Sequence, residues 1–125
     1  MVRIVVAERS PDVGHLIATI LERRGYRVAS AASSSEAAGL VERLDPDLLV
    51  TDAELEGPDA GLGLLQRLRQ SPTMARLGVV VCVGGPTADG YYPAMPTHAR
   101  ERHIAKPFTA SELLACVRSL LDERP

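Results

Sequence analysis

Short apolar runs of strand length alternate along this chain with amphipathic segments of helix length, and no other feature limits the fold as much. Such alternation reads as an α/β sheet of parallel strands covered by helices. The first run is Arg3-Ile4-Val5-Val6-Ala7. Ser10-Pro11 then supplies a helix N-cap and a proline at the first helical position. Val13, Leu16, Ile17, Ile20 and Leu21 follow at helical spacing, and Gly25 stops the segment. Tyr26 to Ala31 reads as a second strand. Ser33 and Glu36 have capping-box spacing and open a helix whose stripe includes Ala37, Leu40, Val41 and Leu44. Asp45-Pro46 turns the chain into a third strand, Asp47 to Thr51. A helix from about Gly61 to Gln70 carries Leu62, Leu65 and Leu68 inward. Leu77 to Val83 is apolar along its length, as a central parallel strand is. A short fifth strand around His103-Ile104-Ala105 precedes a second capping box, Thr109 with Glu112. Leu113, Leu114, Val117, Leu120 and Leu121 mark the last helix.

The rhythm breaks between Gly84 and Arg100, where Pro86, Pro93 and Pro96 join Gly85 and Gly90 without an apolar stripe. Proline inside a helix costs about 3 kcal/mol, so the expectation is an irregular or shortened fourth helix. Tyr91-Tyr92 in that segment either offers a contact patch to a partner or folds back over apolar surface. With 125 residues there is material for one domain, spanning 1–125, and neither repeats nor an interdomain linker divide it. Three Tyr, one Phe and no Trp leave the core to Val, Leu, Ile and Ala. The longest apolar run is far short of a bilayer span and no signal-peptide pattern opens the chain, so the expected location is cytoplasmic. A formal charge of −2 without a basic tract points to a protein partner, not to nucleic acid or membrane. Cys82 and Cys116 have no metal-like spacing and read as buried thiols.

In an open parallel sheet, function gathers at the carboxyl ends of the strands. The residues standing there are Glu8 with Arg9, Asp52, Gly84 and Lys106. Two carboxylates on separate strands suit a magnesium ion, which prefers hard oxygen ligands. A carboxylate can also act as a nucleophile towards a phosphoryl donor, and a lysine across the site would neutralise the phosphoryl oxygens. Of 14 basic residues only Lys106 is a lysine, which hints at a need for a compact point charge there.

These residues, in the settings Val-Val-Ala-Glu-Arg-Ser-Pro, Leu-Leu-Val-Thr-Asp at 48–52, Gly-Leu-Gly-Leu-Leu at 61–65 and Lys-Pro-Phe at 106–108, resemble the receiver domain of two-component response regulators. The resemblance covers nearly the whole chain. It implies a flavodoxin-like (βα)5 doubly wound sheet in the order 2-1-3-4-5, with Asp52 at the phospho-acceptor position. It places Lys106 against the phosphoryl group, often with a cis bond to the following proline. Any metal would be held by Glu8, Asp52 and the backbone of Glu54.

The sequence departs from that family at several of these places. The second acid after strand one, normally the magnesium ligand, is matched by Arg9. The Ser or Thr ending strand four is matched by Gly84, and the switch aromatic by His103. The loop after Asp52 is one residue longer, with Glu56 where proline is common. Arg9 either pairs with Asp52, excluding magnesium and blunting the nucleophile, or swings into solvent. The expectation is a non-enzymatic pseudo-receiver in phosphorelay signalling, with a histidine kinase, phosphotransfer or output protein as partner and Mg2+ doubtful. One alternative is a working magnesium-dependent phospho-acceptor. A flavin- or nucleotide-binding protein is the remote one, since Arg9-Ser10-Pro11 makes a poor phosphate cradle.

Overall fold

Strands apolar along their whole length need cover on both faces, and the computed structural model provides it. It describes residues 1–57, 59–84 and 99–123. Five strands, β1 (Arg3–Ala7), β2 (Arg27–Ala31), β3 (Leu48–Asp52), β4 (Gly78–Val83) and β5 (Glu101–Ala105), form one sheet in the order β2-β1-β3-β4-β5. Every neighbouring pair is parallel. The described helices are α1 (Pro11–Glu22), α2 (Ser34–Leu44), α3 (Ala60–Arg69) and α4 (Ala110–Asp122). The step from β1 to β2 runs one way across the sheet, and the steps from β2 to β3 and β3 to β4 run the other. Right-handed crossovers therefore put α1 on one face and α2 and α3 on the opposite one.

Side chains alternate between the two faces, so β1, β2, β3 and β4 each feed two cores. Val5, Ala7, Leu49, Val79 and Val81 pack with Ala37, Ala38 and Val41 of α2 and Leu64, Leu65 and Leu68 of α3. Ile4, Val6, Leu48, Val50, Val80 and Cys82 pack with Ile17 and Leu21 of α1 and Leu113, Val117 and Leu120 of α4. Each fully buried aliphatic side chain contributes about 1.5–3 kcal/mol, which is how a core without large aromatics holds. No helix among the described residues is long and apolar enough to cross a membrane.

The helix starts follow the sequence closely. Ser10 Oγ accepts from the Val13 N–H, and Thr109 and Glu112 form a reciprocal capping box. The Ser33 box is only half made: Ser33 Oγ accepts from the Glu36 N–H, while the Glu36 carboxylate takes the Ala32 N–H instead. Strand five is longer than its apolar centre suggested, because Glu101 and Arg102 pair with Val79 and Val80. Polar side chains at this terminal strand hid its beginning. The expected irregular fourth-helix segment, with Pro86, Tyr91, Tyr92, Pro93 and Pro96, falls at 85–98, outside the described residues.

Gly61 fixes α3 against the end of β3. A Cβ there would stand 2.2 Å from the Asp52 carbonyl oxygen and 2.7 Å from that of Ala53. Gly63, two residues on, has nothing within 4 Å. Gly61→Ala is therefore expected to cost about 2 kcal/mol or more by overpacking. Gly63→Ala should add about 0.5–1 kcal/mol through helix propensity. Urea unfolding midpoints of the two variants should move in opposite directions.

Candidate functional site

Three backbone hydrogen bonds carry the strand ladder just past the strand ends and aim the residues that matter. The Glu8 N–H donates to Ala31 O at 3.0 Å, the Ala53 N–H to Cys82 O at 3.0 Å, and the Lys106 N–H to Val83 O at 2.7 Å. Side-chain alternation does the rest. Glu8, Asp52, Gly84 and Lys106 share the parity of Ile4, Leu48, Val80 and Ile104, so all four belong to the face that carries α1 and α4. The site lies beside the β1–β3 switch point, where crossovers diverge and the sheet edge is left open.

The structure brings the expected trio together. Lys106 Nζ donates to Glu8 Oε2 at 3.0 Å and stands 3.4 Å from Asp52 Oδ1. Glu8 and Asp52 are only 5% and 4% exposed. Glu8 Oε1 accepts from the Ser10 N–H at 3.3 Å, and Asp52 Oδ1 from the Glu54 N–H at 3.1 Å. Burial works to lower the Lys106 pKa, but the Glu8 hydrogen bond and the Asp52 and Glu8 charges outweigh it, and the ammonium is held above its usual 10.5. The Lys106–Pro107 peptide is cis, as the resemblance implies. Cys82, beneath the site, is free and fully buried, and burial pushes its thiol up to about 12. It is an apolar filler, not a nucleophile. Cys116 is also free but only half-buried.

Arg9 corrects one expectation. Its guanidinium does not pair with Asp52, whose ionic partner is Lys106; Arg9 Nη2 lies 3.8 Å from Glu54 Oε2, with both side chains more than half exposed. The reason is position. Arg9 follows Glu8 with opposite parity, so it leaves the strand over the loop after β3, where the Glu54 carboxylate is exposed. A screened surface pair of this kind contributes about 0–1 kcal/mol. Sequence reasoning missed the Glu54 side chain; an acid two residues after Asp52 facing Arg9 was the available signal.

The other departures find places too. Gly84 follows β4, and among the described residues a Cβ there would approach Glu54 Oε1, at 4.0 Å. His103 has the opposite parity from Lys106, and its Nε2 lies 3.6 Å from Glu101 Oε2 on the α3 side of the sheet. Glu56 accepts from both the Ser34 N–H and the Ser34 hydroxyl, tying the longer loop to the start of α2. Those two hydrogen bonds lower its pKa.

Magnesium demands near-octahedral oxygen ligation. The donors here do not make a good fit. Both carboxylates already face the Lys106 ammonium, and the Glu54 carbonyl accepts the Gly57 N–H at 2.9 Å. No group of three or more His, Cys, Asp or Glu side chains suited to a metal occurs among the described residues. Where a third acid would help, the sequence supplies a cation.

Removing the ammonium leaves two buried carboxylates unbalanced. Lys106→Met is expected to cost about 1–3 kcal/mol, below the range for fully buried pairs because the ammonium is partly solvated. Adding Asp52→Asn should recover part of that loss. Because folding raises the Lys106 pKa, its stabilisation is complete below the unfolded value of about 10.4. It is lost as pH rises through the higher folded value. Denaturation from pH 7 upwards should show the gap between wild type and Lys106→Met closing only in that alkaline window.

With this geometry in hand, known proteins fall into line. The family model described as "Response regulator receiver domain" matches residues 4–118. The DNA-binding dual master transcriptional regulator RpaA of Synechocystis is 31% identical over 121 residues, covering 97% of this chain and 49% of that protein. The chain thus spans about half the length of RpaA and only 11% of another curated relative, the sensor kinase CckA of Brucella abortus. A putative response regulator from Chloroflexus aurantiacus superposes with a TM-score of 0.80 at 27% identity, over 97% of this chain and 98% of the other. The receiver domain of NtrX from Brucella abortus gives 0.82 at 26%, over 97% and 99%. The chain belongs to the response regulator receiver domain family of two-component signal transduction.

Proposed function

We propose that this receiver signals through contacts with other proteins without depending on an aspartyl phosphate at Asp52. The observation that carries the reading is the charge pattern at the strand tips. Lys106 spans Glu8 and Asp52, while the second acid position holds Arg9, paired outward to Glu54. A phosphoryl donor approaching Asp52 would meet one ammonium, no hydroxyl at Gly84 and a weak set of metal ligands. Catalysis of phosphoryl transfer is mostly electrostatic stabilisation and positioning, so those losses bear on rate directly. The whole of 1–125 acts as one receiver unit, with a histidine kinase, phosphotransfer or output protein as its partner in the cytoplasm.

A second reading, a magnesium-dependent phospho-acceptor, draws on the close approach of Lys106 to a buried Asp52. The two separate by titration. Amide spectra of the labelled chain should stay unchanged at Asp52, Ala53 and Lys106 when Mg2+ and then beryllofluoride are added. Saturable shifts there would overturn the phosphate-independent reading. Arg9→Asp changes the local charge by two units and is expected to tighten Mg2+ binding at least about tenfold. An unchanged affinity would clear Arg9 as the obstacle.

A further inference from the structure

β2 ends the sheet: it is joined to β1 on one side and, among the described residues, to no strand on the other. The Arg27 N–H donates to Val2 O at 2.9 Å and the Glu8 N–H to Ala31 O at 3.0 Å. Arg27, Ala29 and Ala31 therefore turn their backbone groups towards β1, and those of Val28 and Ser30 point away from the sheet. Nothing bulky guards them. Ala29, Ser30 and Ala31 are small, the strand holds no proline, and Ser30 is exposed. An edge of this kind is a template for another strand.

Arginines crowd the start of the same strand. Arg23 and Arg24 follow α1, and Gly25, at φ +86°, turns the chain through Tyr26 into Arg27. Arg3 is the Cα partner of Arg27, so their side chains leave the same face of the sheet. Arg3 Nη1 reaches the Leu44 carbonyl at 3.2 Å, beside Arg43 in the last turn of α2. Like charges side by side on neighbouring strands are unfavourable. Elsewhere arginines find acids: Arg67 pairs with Glu42, and Arg69 Nη2 lies 3.3 Å from Glu101 Oε1, on a side chain only 5% exposed. Here they do not. Arg23, Arg24, Arg27 and Arg43 are exposed, and among the described residues none of their guanidinium groups makes a hydrogen bond or ion pair. Asp45 and Asp47 line a neighbouring hollow with Arg76 and Arg100. The carbonyl ends of α1 and α2 answer only part of this charge, since each amounts to about half a unit.

We propose that the β2 edge docks an extended, acidic segment of a partner protein, which adds a strand beside Val28 and Ser30 and lays its carboxylates on Arg24, Arg27 and their neighbours. Strand addition supplies main-chain hydrogen bonds, and guanidinium forks match carboxylates in pairs. A nucleic acid presents phosphates along a longer path, and no basic tract continues this corner. Residues 84 and 99, which flank the undescribed 85–98, adjoin β4 and β5, and β1 and β3 separate those strands from this edge. The docking edge does not rest on whether Asp52 is phosphorylated.

The test titrates the labelled full chain with acetyl-Glu-Glu-Glu-Thr-Val-Thr-Val-amide and with the reversed order, so that both strand directions are offered. The same peptides with lysine in place of glutamate serve as controls. Saturable amide shifts are expected at Arg27, Val28 and Ser30 with at least one acidic order. The lysine peptides should bind at least about tenfold more weakly, and raising NaCl from about 50 to 500 mM should weaken the acidic one. Arg24→Glu with Arg27→Glu, both at exposed positions, should erase the preference for acid. Should that double variant not fold, Arg27→Ala is the milder change and should weaken the acidic peptide about twofold or more. No saturable shift, equal binding of acidic and lysine peptides, or a preference that survives these substitutions would each overturn the proposal. Tri-glutamate binding as tightly as the full peptide would remove the strand edge and overturn it too. A short DNA duplex binding more tightly than the peptide, or the same shifts on concentrating the chain alone, would give the edge to nucleic acid or to a second copy. Either result overturns the assignment. None of these readouts involves Asp52 or its ligands.

Discussion

Lys106 Nζ sits between Glu8 Oε2 and Asp52 Oδ1, and both carboxylates are almost closed off from water. Two like charges in a poorly solvated space repel each other and lose hydration. The ammonium offsets both penalties. The backbone ladder has to deliver the three residues from β1, β3 and β5 to one point, which ties the order of the sheet to the chemistry of its edge. Asp52 lies between its partners in that order because β3 is flanked by β1 on one side and by β4 and then β5 on the other.

Much of this was legible in the sequence because it depends on patterns with a fixed period. Strand runs such as Leu48 to Val50 and Val79 to Cys82 are buried on both faces, and no amphipathic strand reads that way. The meeting of Glu8, Asp52 and Lys106 was legible from strand-end position and from the family's motif together. The partner of Arg9 was not. Its place in the chain showed only that a guanidinium stood near the acceptor. Where a long exposed side chain settles depends on which acid is still unpaired, and Lys106 had already taken Asp52. The Arg69–Glu101 pair was hidden for a related reason. Glu101 lies at the polar start of a terminal strand, where no apolar alternation announces burial.

The exchange of an acid for Arg9 changes the site in kind. With Glu8, Asp52 and Lys106 the pocket holds one negative charge in excess, and the Arg9–Glu54 pair beside it is neutral. An acid in place of Arg9 would leave the rim unbalanced and the pocket strongly negative, the condition under which a divalent cation gains most. As the chain stands, its own cations have largely met that demand. A pocket whose charges are mostly paired is suited to holding a shape.

β5 is the element through which the two sides of the molecule meet. Its even-numbered positions face α4, and the next in that series is Lys106; its odd-numbered positions, Glu101 and His103, face α3. In the order of the sheet it is terminal, joined to β4. Coupling between the two faces of the sheet requires an element with two arrangements that both faces bias. A central strand such as β3, clamped by a ladder on each side, is a poor candidate for that. A terminal strand gives up only one ladder when it shifts. Its charged groups, Lys106 at one end and Glu101 at the other, are each held by ionic contacts whose strength depends on what occupies the neighbouring space. β5 is therefore the strand that gives up least in linking the two faces of the sheet.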